Sequence, residues 1–322
     1  MARSHVPFLQ SWGWGEFQET LGLSHYRFGF YEEGKLVGIC QALEGERRLG
    51  RFIYVPHGPV LAKFSAGKVK TILKYLQDFA RRKGADYLRV DPPWEDSAAN
   101  RDLLAGAGFR SSPAATAQAG GRTLLMDLEI GEEELLAGMR KTTRYSIKKA
   151  AEAGVRVERT TDLRKLANFH RLMEVTRHRQ GFTPHSQNYL QTEFEVLAKR
   201  RMIELSTALH EGTIISAALT IPYGDTVSYV HGASSKSAVP ASYLLLWENI
   251  KEAKKDGQRY FDFWGIAPEG ADERHPWWGY TLFKKGFGGY PVDYLGAWDY
   301  VLNPKYFAVY AAENARRFMR RF

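Results

Sequence analysis

The chain repeats itself. The segment FGFYEEGKLVGICQAL (residues 28–43) reads as strand, turn and strand around Glu33-Gly34, and LSTALHEGTIISAALTI (residues 205–221) reads the same way around Glu211-Gly212. YVPHGP (54–59) follows the first hairpin and YVHGA (229–233) the second, each a short strand ending at His-Gly. An amphipathic helix comes next in both halves. GKVKTILKYLQDFARRKG places Val69, Leu73, Leu76 and Ala80 on one face and stops at Gly84; YLLLWENIKEAKKDG gives Tyr243, Leu246, Trp247 and Ile250 the i, i+3, i+4, i+7 spacing and stops at Gly257. A strand closes each half, ADYLRVDP (85–92) and RYFDFWGI (259–266). The alternative is chance alignment of two similar segments, but His-Gly, the terminating glycine and the aromatic strand recur in order. A duplicated hairpin, strand, helix and strand demands mixed sheets with helices on their faces.

This order is that of the acyl-transferring GNAT fold. The expected architecture is therefore α/β with mixed sheets, as two tandem GNAT-like acyltransferase domains over residues 1–145 and 146–303, followed by a basic C-terminal helix over 304–322. At the junction, Glu132 to Glu134 start a helix where negative charge suits the dipole, and Arg140, Lys141, Arg144, Lys148 and Lys149 follow as a basic stretch that Gly154 ends. A solvated helix face and a phosphate-contacting face both fit that run. In PKYFAVYAAENARRFMRRF, Pro304 opens a helix on which Phe307, Tyr310, Ala311 and Phe318 share a face, and four arginines crowd the end. Packing back on the first domain is the first reading of this helix, and contact with anionic lipid the second.

Composition narrows the partners. The 322 residues suit two domains, and the net charge of +9 favours phosphate-bearing partners, although solubility alone also accounts for it. The single Cys40 excludes an internal disulfide and a cysteine-based metal site. Nine histidines, His57 and His231 among them, show no ligand-like spacing, so no metal and no cofactor is expected. MARSHVPFLQ carries no signal peptide, which makes the cytoplasm the expected compartment, and no apolar run approaches the roughly 18 residues of a membrane span. Any membrane contact is then peripheral.

Seven segments in order, LQSWGWGEFQ, YVPHGPV, LRVDPP, MRKTTRYSIKKAAEAGVRV, YLLLWENIKEAKKDG, FDFWGI and LFKKGFGG, resemble the Fem family (FemABX) from Leu9 to Gly289. The second half has no room for the helical arm of some members, so the resemblance is to the compact ones. It implies an aminoacyltransferase of peptidoglycan bridge synthesis. An amino acid would pass from the ribose of an aminoacyl-tRNA to an amine of a muropeptide precursor, nucleotide- or lipid-linked, with contact at the inner membrane face. Both substrates are polyanions, in agreement with the basic charge.

The same resemblance names a site. In GYTLFKKGFGGYP (279–291) it assigns Lys284 to the reaction centre and Phe283 to the same pocket, leaving Lys285 to the surface. From the residues alone, two solvated lysines at a helix end is the simpler reading. A cation walled by aromatics suits the oxyanion of ester aminolysis. Gly286, Gly288 and Gly289 permit a tight turn or close approach to a ligand, without a phosphate-loop signature. Asp91, before two prolines, is open to two roles, general base and cap of the following turn. Arg177 and Arg179 in EVTRHRQGF suit phosphate oxygens, with surface charge the alternative for either. The family often carries a lysine after its Gln-Ser-x-x-Trp segment; here Gln18 follows Trp14, which leaves the phosphate grip open between that pocket and Arg51. Tyr229, Tyr243 and Trp247 fall where the family lines a channel; Tyr243 and Trp247 also belong to the apolar helix stripe, and core packing is the first reading for Trp247. Two rivals stand. One is an acyl-coenzyme A-dependent GNAT enzyme, whose Arg/Gln-x-x-Gly-x-Gly/Ala pattern is missing from HGPVLAKFSAGKV and HGASSKSAVPASY; the other is a non-catalytic RNA- or membrane-binding protein, favoured by charge alone.

Overall fold

A computed structural model describes residues 7–113, 121–180 and 185–320. The opening MARSHV and the last two residues of the expected terminal helix lie outside them. Two compact units form, one from Met1–Thr123, Gly265–Trp278 and Val292–Phe322, the other from Leu124–Trp264 and Gly279–Pro291. The division at Thr123/Leu124 precedes the 145/146 boundary drawn from the sequence, and the first unit recovers chain from the C-terminal end.

In chain order the elements are α1 (Trp12–Thr20), β1 (Ser24–Glu32), β2 (Lys35–Arg47), β3 (Gly50–Pro56), β4 (Val60–Leu61), α2 (Ala66–Arg82), β5 (Tyr87–Asp91), α3 (Ala98–Gly106) and β6 (Arg110–Ser111). The chain continues through β7 (Arg122–Asp127), α4 (Glu132–Ala137), α5 (Lys141–Glu152), β8 (Arg156–Thr160), α6 (Leu166–Gln180), α7 (Gln187–Lys199), β9 (Glu204–His210), β10 (Thr213–Tyr223) and β11 (Thr226–Ser234). It ends with α8 (Ala241–Lys255), β12 (Tyr260–Gly265), α9 (Trp278–Lys285), β13 (Tyr290–Asp293), β14 (Trp298–Val301) and α10 (Tyr306–Arg320). One sheet runs β1-β2-β3-β5-β14-β6, with β4 on β2, and the other β13-β7-β12-β11-β10-β9-β8.

The duplication holds at the level of register. β1, β2 and β3 pair antiparallel and β3 pairs parallel with β5; β9, β10 and β11 pair antiparallel and β11 pairs parallel with β12. Both hairpin turns use a Glu-Gly pair with positive φ, 49° and 76° at Glu33-Gly34, 48° and 74° at Glu211-Gly212. Such a turn matches the twist of the strands it joins. The expected helix faces are buried: Val69, Leu73, Leu76 and Ala80 pack over Ile53, Val55, Leu88 and Val90 in the first unit, and Leu246, Trp247 and Ile250 are buried in the second.

Three expectations need correction. β11 does not stop at His-Gly but runs on to Ser234, because β10 continues to pair with it as far as Ser216–Ser234. The acidic and basic halves of the junction are two helices, with Arg140 N–H donating to the Gly286 carbonyl at 2.9 Å where α5 begins. Arg144 of that basic stretch donates to the Leu136, Ala137 and Met139 carbonyls at the end of α4, so it serves as a helix-end partner. Tyr310 belongs to the inner face of α10, beside Tyr306, and not to the exposed face of Phe307 and Phe318.

α10 is held to the first unit by its early turns. Tyr306 and Val309 join Phe52 and Tyr87 in a buried cluster. Arg89 bridges Asp299 at 2.7 Å and Glu313 at 2.8 Å, and Tyr306 O–H donates to Asp299 at 3.0 Å. No helix among the described residues is long and apolar enough to cross a membrane.

The glycines after the paired lysines admit the protein's own backbone, where the sequence left room for a ligand. A Cβ at Gly289 (φ 80°) would lie 2.4 Å from the Leu125 carbonyl oxygen, whereas one at Gly212 (φ 74°) meets nothing within 4 Å. Gly212→Ala should therefore show the left-handed backbone penalty alone, about 1 kcal/mol, and Gly289→Ala at least twice that. Urea midpoints of the two variants check the order; equal losses would mean that the Gly289 contact is not a tight one.

Candidate active site

The second unit contains a cavity of about 250 Å³. Its walls come from the end of α6 (Thr176, Arg179), β10 (Ser216, Ala218), the outer half of β11, the start of α8 and the first turns of α9. The cause is in the ladder. β11 and β12 pair only at Thr226–Tyr260, Val227–Phe261 and Ser228–Asp262; beyond that point Tyr229, Gly232, Ala233 and Ser234 of β11 line the cavity. Gly232 is needed there, since a Cβ would sit 1.8 Å from the Tyr229 hydroxyl oxygen, which folds over it. Thr176 fixes the far end of the strand, its hydroxyl donating to the Ser234 carbonyl at 3.0 Å and accepting from Ser234 N–H at 2.8 Å.

Lys284 lies on α9, one residue beyond the cavity-lining Phe283, with its Nζ 6.0 Å from the centre of the Tyr229 ring. Aromatic rings surround this corner: Phe283 meets Tyr243 edge-on at 4.9 Å and Phe287 at 5.3 Å, and Phe287 is fully buried beside Phe263. Desolvation by these walls pushes the half-buried Lys284 ammonium down to about 8, and Asp262 opposes the shift. A depressed value of this kind means a cation short of water. Asp262, at the last β11–β12 pair, also accepts from Trp264 N–H at 2.8 Å and so supports the left-handed backbone of Trp264 (φ 65°). Lys285, by contrast, is exposed.

Arg179 lines the cavity and donates to the Ser234 hydroxyl at 2.8 Å. Tyr280 faces the same space, its phenol pushed up to about 12 by burial against the opposing pull of Arg179; burial raises Tyr229 as well. Both are neutral donors at neutral pH. Ser216 and Ser242 share a hydrogen bond of 2.8 Å in the same wall.

The structure thus brings together Phe283, Tyr229, Tyr243 and Arg179, with Lys284 at their edge. Arg177 is elsewhere, paired with Glu174 one turn back on α6 at 2.8 Å. In the first unit, Trp14 is a core residue, edge-on to Phe8 and Phe17, and Gln18 is buried on the same helix. Arg51 lies near Glu44 and Glu46. Asp91 is buried, accepts the Tyr54 hydroxyl at 3.2 Å and is pushed up to about 7 by desolvation, against the pull of Tyr54 and Arg89. No backbone N–H of the following turn donates to its carboxylate among the described residues, so it does not cap that turn. His231 is held by the buried Glu193 at 2.9 Å. Sequence reasoning missed Tyr280, Asp262 and the serine pair. Tyr280 had a signal, since it stands one helical turn before Phe283 and Lys284 in the same motif.

The chain is similar to known proteins along its length. The FemAB family profile matches residues 2–105, and the acetyltransferase (GNAT) domain profile matches residues 137–275. The lipid II:glycine glycyltransferase of Staphylococcus haemolyticus is 22% identical over 378 residues, covering 94% of this chain and 90% of the relative. The crystal structure of FemX superposes with a TM-score of 0.86 at 19% identity, over 96% of this chain and 95% of that one. The chain resembles Fem proteins along its length, and its first third matches the FemAB family itself. Its two sheets are those of tandem GNAT units, a fold shared at TM-score 0.57 and 12% identity with a tandem GNAT protein of the clavulanic acid pathway, over 88% of this chain and 84% of that one. The GNAT domain match and the glycyltransferase relatives support acyltransferase activity.

A charged lysine kept dry works against folding. The folded value of Lys284, about 8, lies below the roughly 10.4 of an unfolded lysine, so the ammonium opposes folding fully below pH 8 and not at all once both states are neutral. Lys284→Met should therefore raise the melting midpoint at pH 7, by an amount that shrinks as pH climbs toward 10. A midpoint lowered at pH 7 would mean that the ammonium is well solvated or paired.

Proposed function

We propose that this Fem-type enzyme transfers an aminoacyl group from aminoacyl-tRNA to an amine of a peptidoglycan precursor stem peptide, nucleotide- or lipid-linked, in cell-wall bridge synthesis. The carrying observation is Lys284, a cation dried by aromatic rings at the edge of a cavity that opens where two parallel strands separate. The name of the staphylococcal relatives, which couples lipid II with glycyl transfer, supports the choice of acceptor. The net charge of +9 suits two polyanionic substrates.

In this reading the acceptor nitrogen attacks the ester carbonyl carbon. The C–N bond forms, the carbonyl oxygen carries the negative charge, and the C–O bond to the ribose breaks as the carbonyl returns. With a value near 8, roughly nine-tenths of Lys284 is protonated at pH 7, and its ammonium donates to the oxyanion. Preorganised donors of this type contribute about 3–4 kcal/mol to such steps. Tyr229 and Tyr280 are the neutral hydroxyl donors that orient the acyl group, and Arg179 is the cavity cation for a phosphate of the acyl donor. The attacking amine sheds one proton while the ribose oxygen gains one, so the transfer balances without a net proton acceptor.

The test incubates the protein with each charged tRNA and with both precursor forms and reads the added residue by mass. Lys284→Ala should lower kcat by about 10²–10³, Arg179→Ala should raise KM for the acyl donor, and Arg177→Ala should leave both unchanged. The rate should fall as pH rises past about 8, because the cation is lost there. No product from any pair would overturn the proposal. Saturable thermal stabilisation by coenzyme A would favour the acyl-coenzyme A rival.

A further inference from the structure

Helix α10 has two apolar faces. Tyr306, Val309 and Glu313 turn toward Phe52, Tyr87 and Arg89 in the first unit. On the other side Phe307, Ala308, Ala311, Ala315, Phe318 and Met319 fall within about one third of the circumference at 100° per residue, and all six are exposed. Phe318 is 88% and Met319 71% accessible. From Asn314 to Met319 every residue is exposed, so nothing in the packing of the helix calls for large apolar groups there. They stand where water contact is least favourable to them.

Charge indicates what covers this face. Lys305 and Arg316, eleven residues apart and hence in line, border one edge of the stripe, and both are exposed. The Arg110 guanidinium lies 5.5 Å from the Phe307 ring at its near end. Glu313, the one acid in α10, is engaged by Arg89 at 2.8 Å. Lys305 stands at the start of the helix, where the dipole disfavours a cation, so helix stability does not explain it. The border is positive along its length. A second copy would bring like charges together, and RNA would offer a base face to Phe318 but no apolar interior to Met319 and the alanines beside it.

We propose that this face of α10 docks on the surface of an anionic phospholipid bilayer, with Phe307, Phe318 and Met319 entering the acyl boundary and Lys305 and Arg316 reaching the phosphates. The proposal does not rest on the transferase reading. Its test is co-sedimentation of the full chain with phosphatidylcholine vesicles, with and without phosphatidylglycerol. Binding is expected only with phosphatidylglycerol, and it should weaken as salt rises. Phe318→Ser with Met319→Ser, and separately Lys305→Gln with Arg316→Gln, should each weaken it by roughly tenfold or more. Melting midpoints should not move, because these side chains are exposed. Failure to bind anionic vesicles, or undiminished binding by either double variant, would overturn the proposal. So would a concentration-dependent dimer abolished by Phe318→Ser, which would assign the face to a second copy.

Discussion

The site depends on two parallel strands that stop pairing. β11 and β12 share three residue pairs, the last at Ser228–Asp262, and β11 then continues for six residues with only β10 at its side. A strand that leaves its partner must place its polar groups elsewhere or tolerate the loss. Here β10 retains one edge, while Thr176 takes both polar backbone groups of Ser234. The strand is therefore held to β10 past the point of separation, across a register shift at Leu219/Thr220, and the space left on the other edge becomes the cavity. Asp262 sits at the fork, Tyr229 just beyond it, and α9 brings Phe283 and Lys284 alongside.

The duplicated half shows that this opening is not a general property of the topology. In the first unit the equivalent strands, β3 and β5, pair at five consecutive positions from Phe52–Tyr87 to Pro56–Asp91. No gap forms along them. At the third pair of each ladder the first unit carries Arg89, closed into a network by Asp299 and Glu313, and the second carries Asp262, which faces the lysine. One framework has thus been used twice, once as a continuous sheet whose central charge is neutralised by β14 and α10, and once as a forked sheet with room for a ligand.

The fold was legible because its signals are local. Glu-Gly turns, helix stripes ending in glycine and aromatic strands are set by residues within a few positions of one another. Strand membership was less so. β7 and β14 are short, and their places in the two sheets are fixed by distant partners, β14 by Tyr87 to Val90 on one side and Arg110-Ser111 on the other. A contiguous division of the chain could not foresee that exchange. The site divides in the same way. Lys284, Phe283, Tyr243 and Tyr229 came with the motif resemblance. Arg177 and Arg179 looked alike in sequence, and only the helix phase separates them, one turned to Glu174 and the other to the cavity. Trp14 failed as a ligand contact because an aromatic on a short amphipathic helix fills the core by default.

Two poorly hydrated cations in this chain show how a structural charge differs from a reactive one. Arg89 is buried against two carboxylates, each bound through two nitrogens, and their attraction outweighs desolvation, so its protonation is reinforced. Removing it would strand both acids, which is why such a group serves stability and is closed to chemistry. Lys284 has aromatic rings at its side and Asp262 within electrostatic reach. Desolvation is the larger influence and Asp262 offsets only part of it. A cation in that condition gains most from a negative charge that arrives beside it, and an oxyanion formed during acyl transfer is such a charge. It is this excess of desolvation over the pull of Asp262, rather than the presence of a lysine, on which the proposed role of this corner rests.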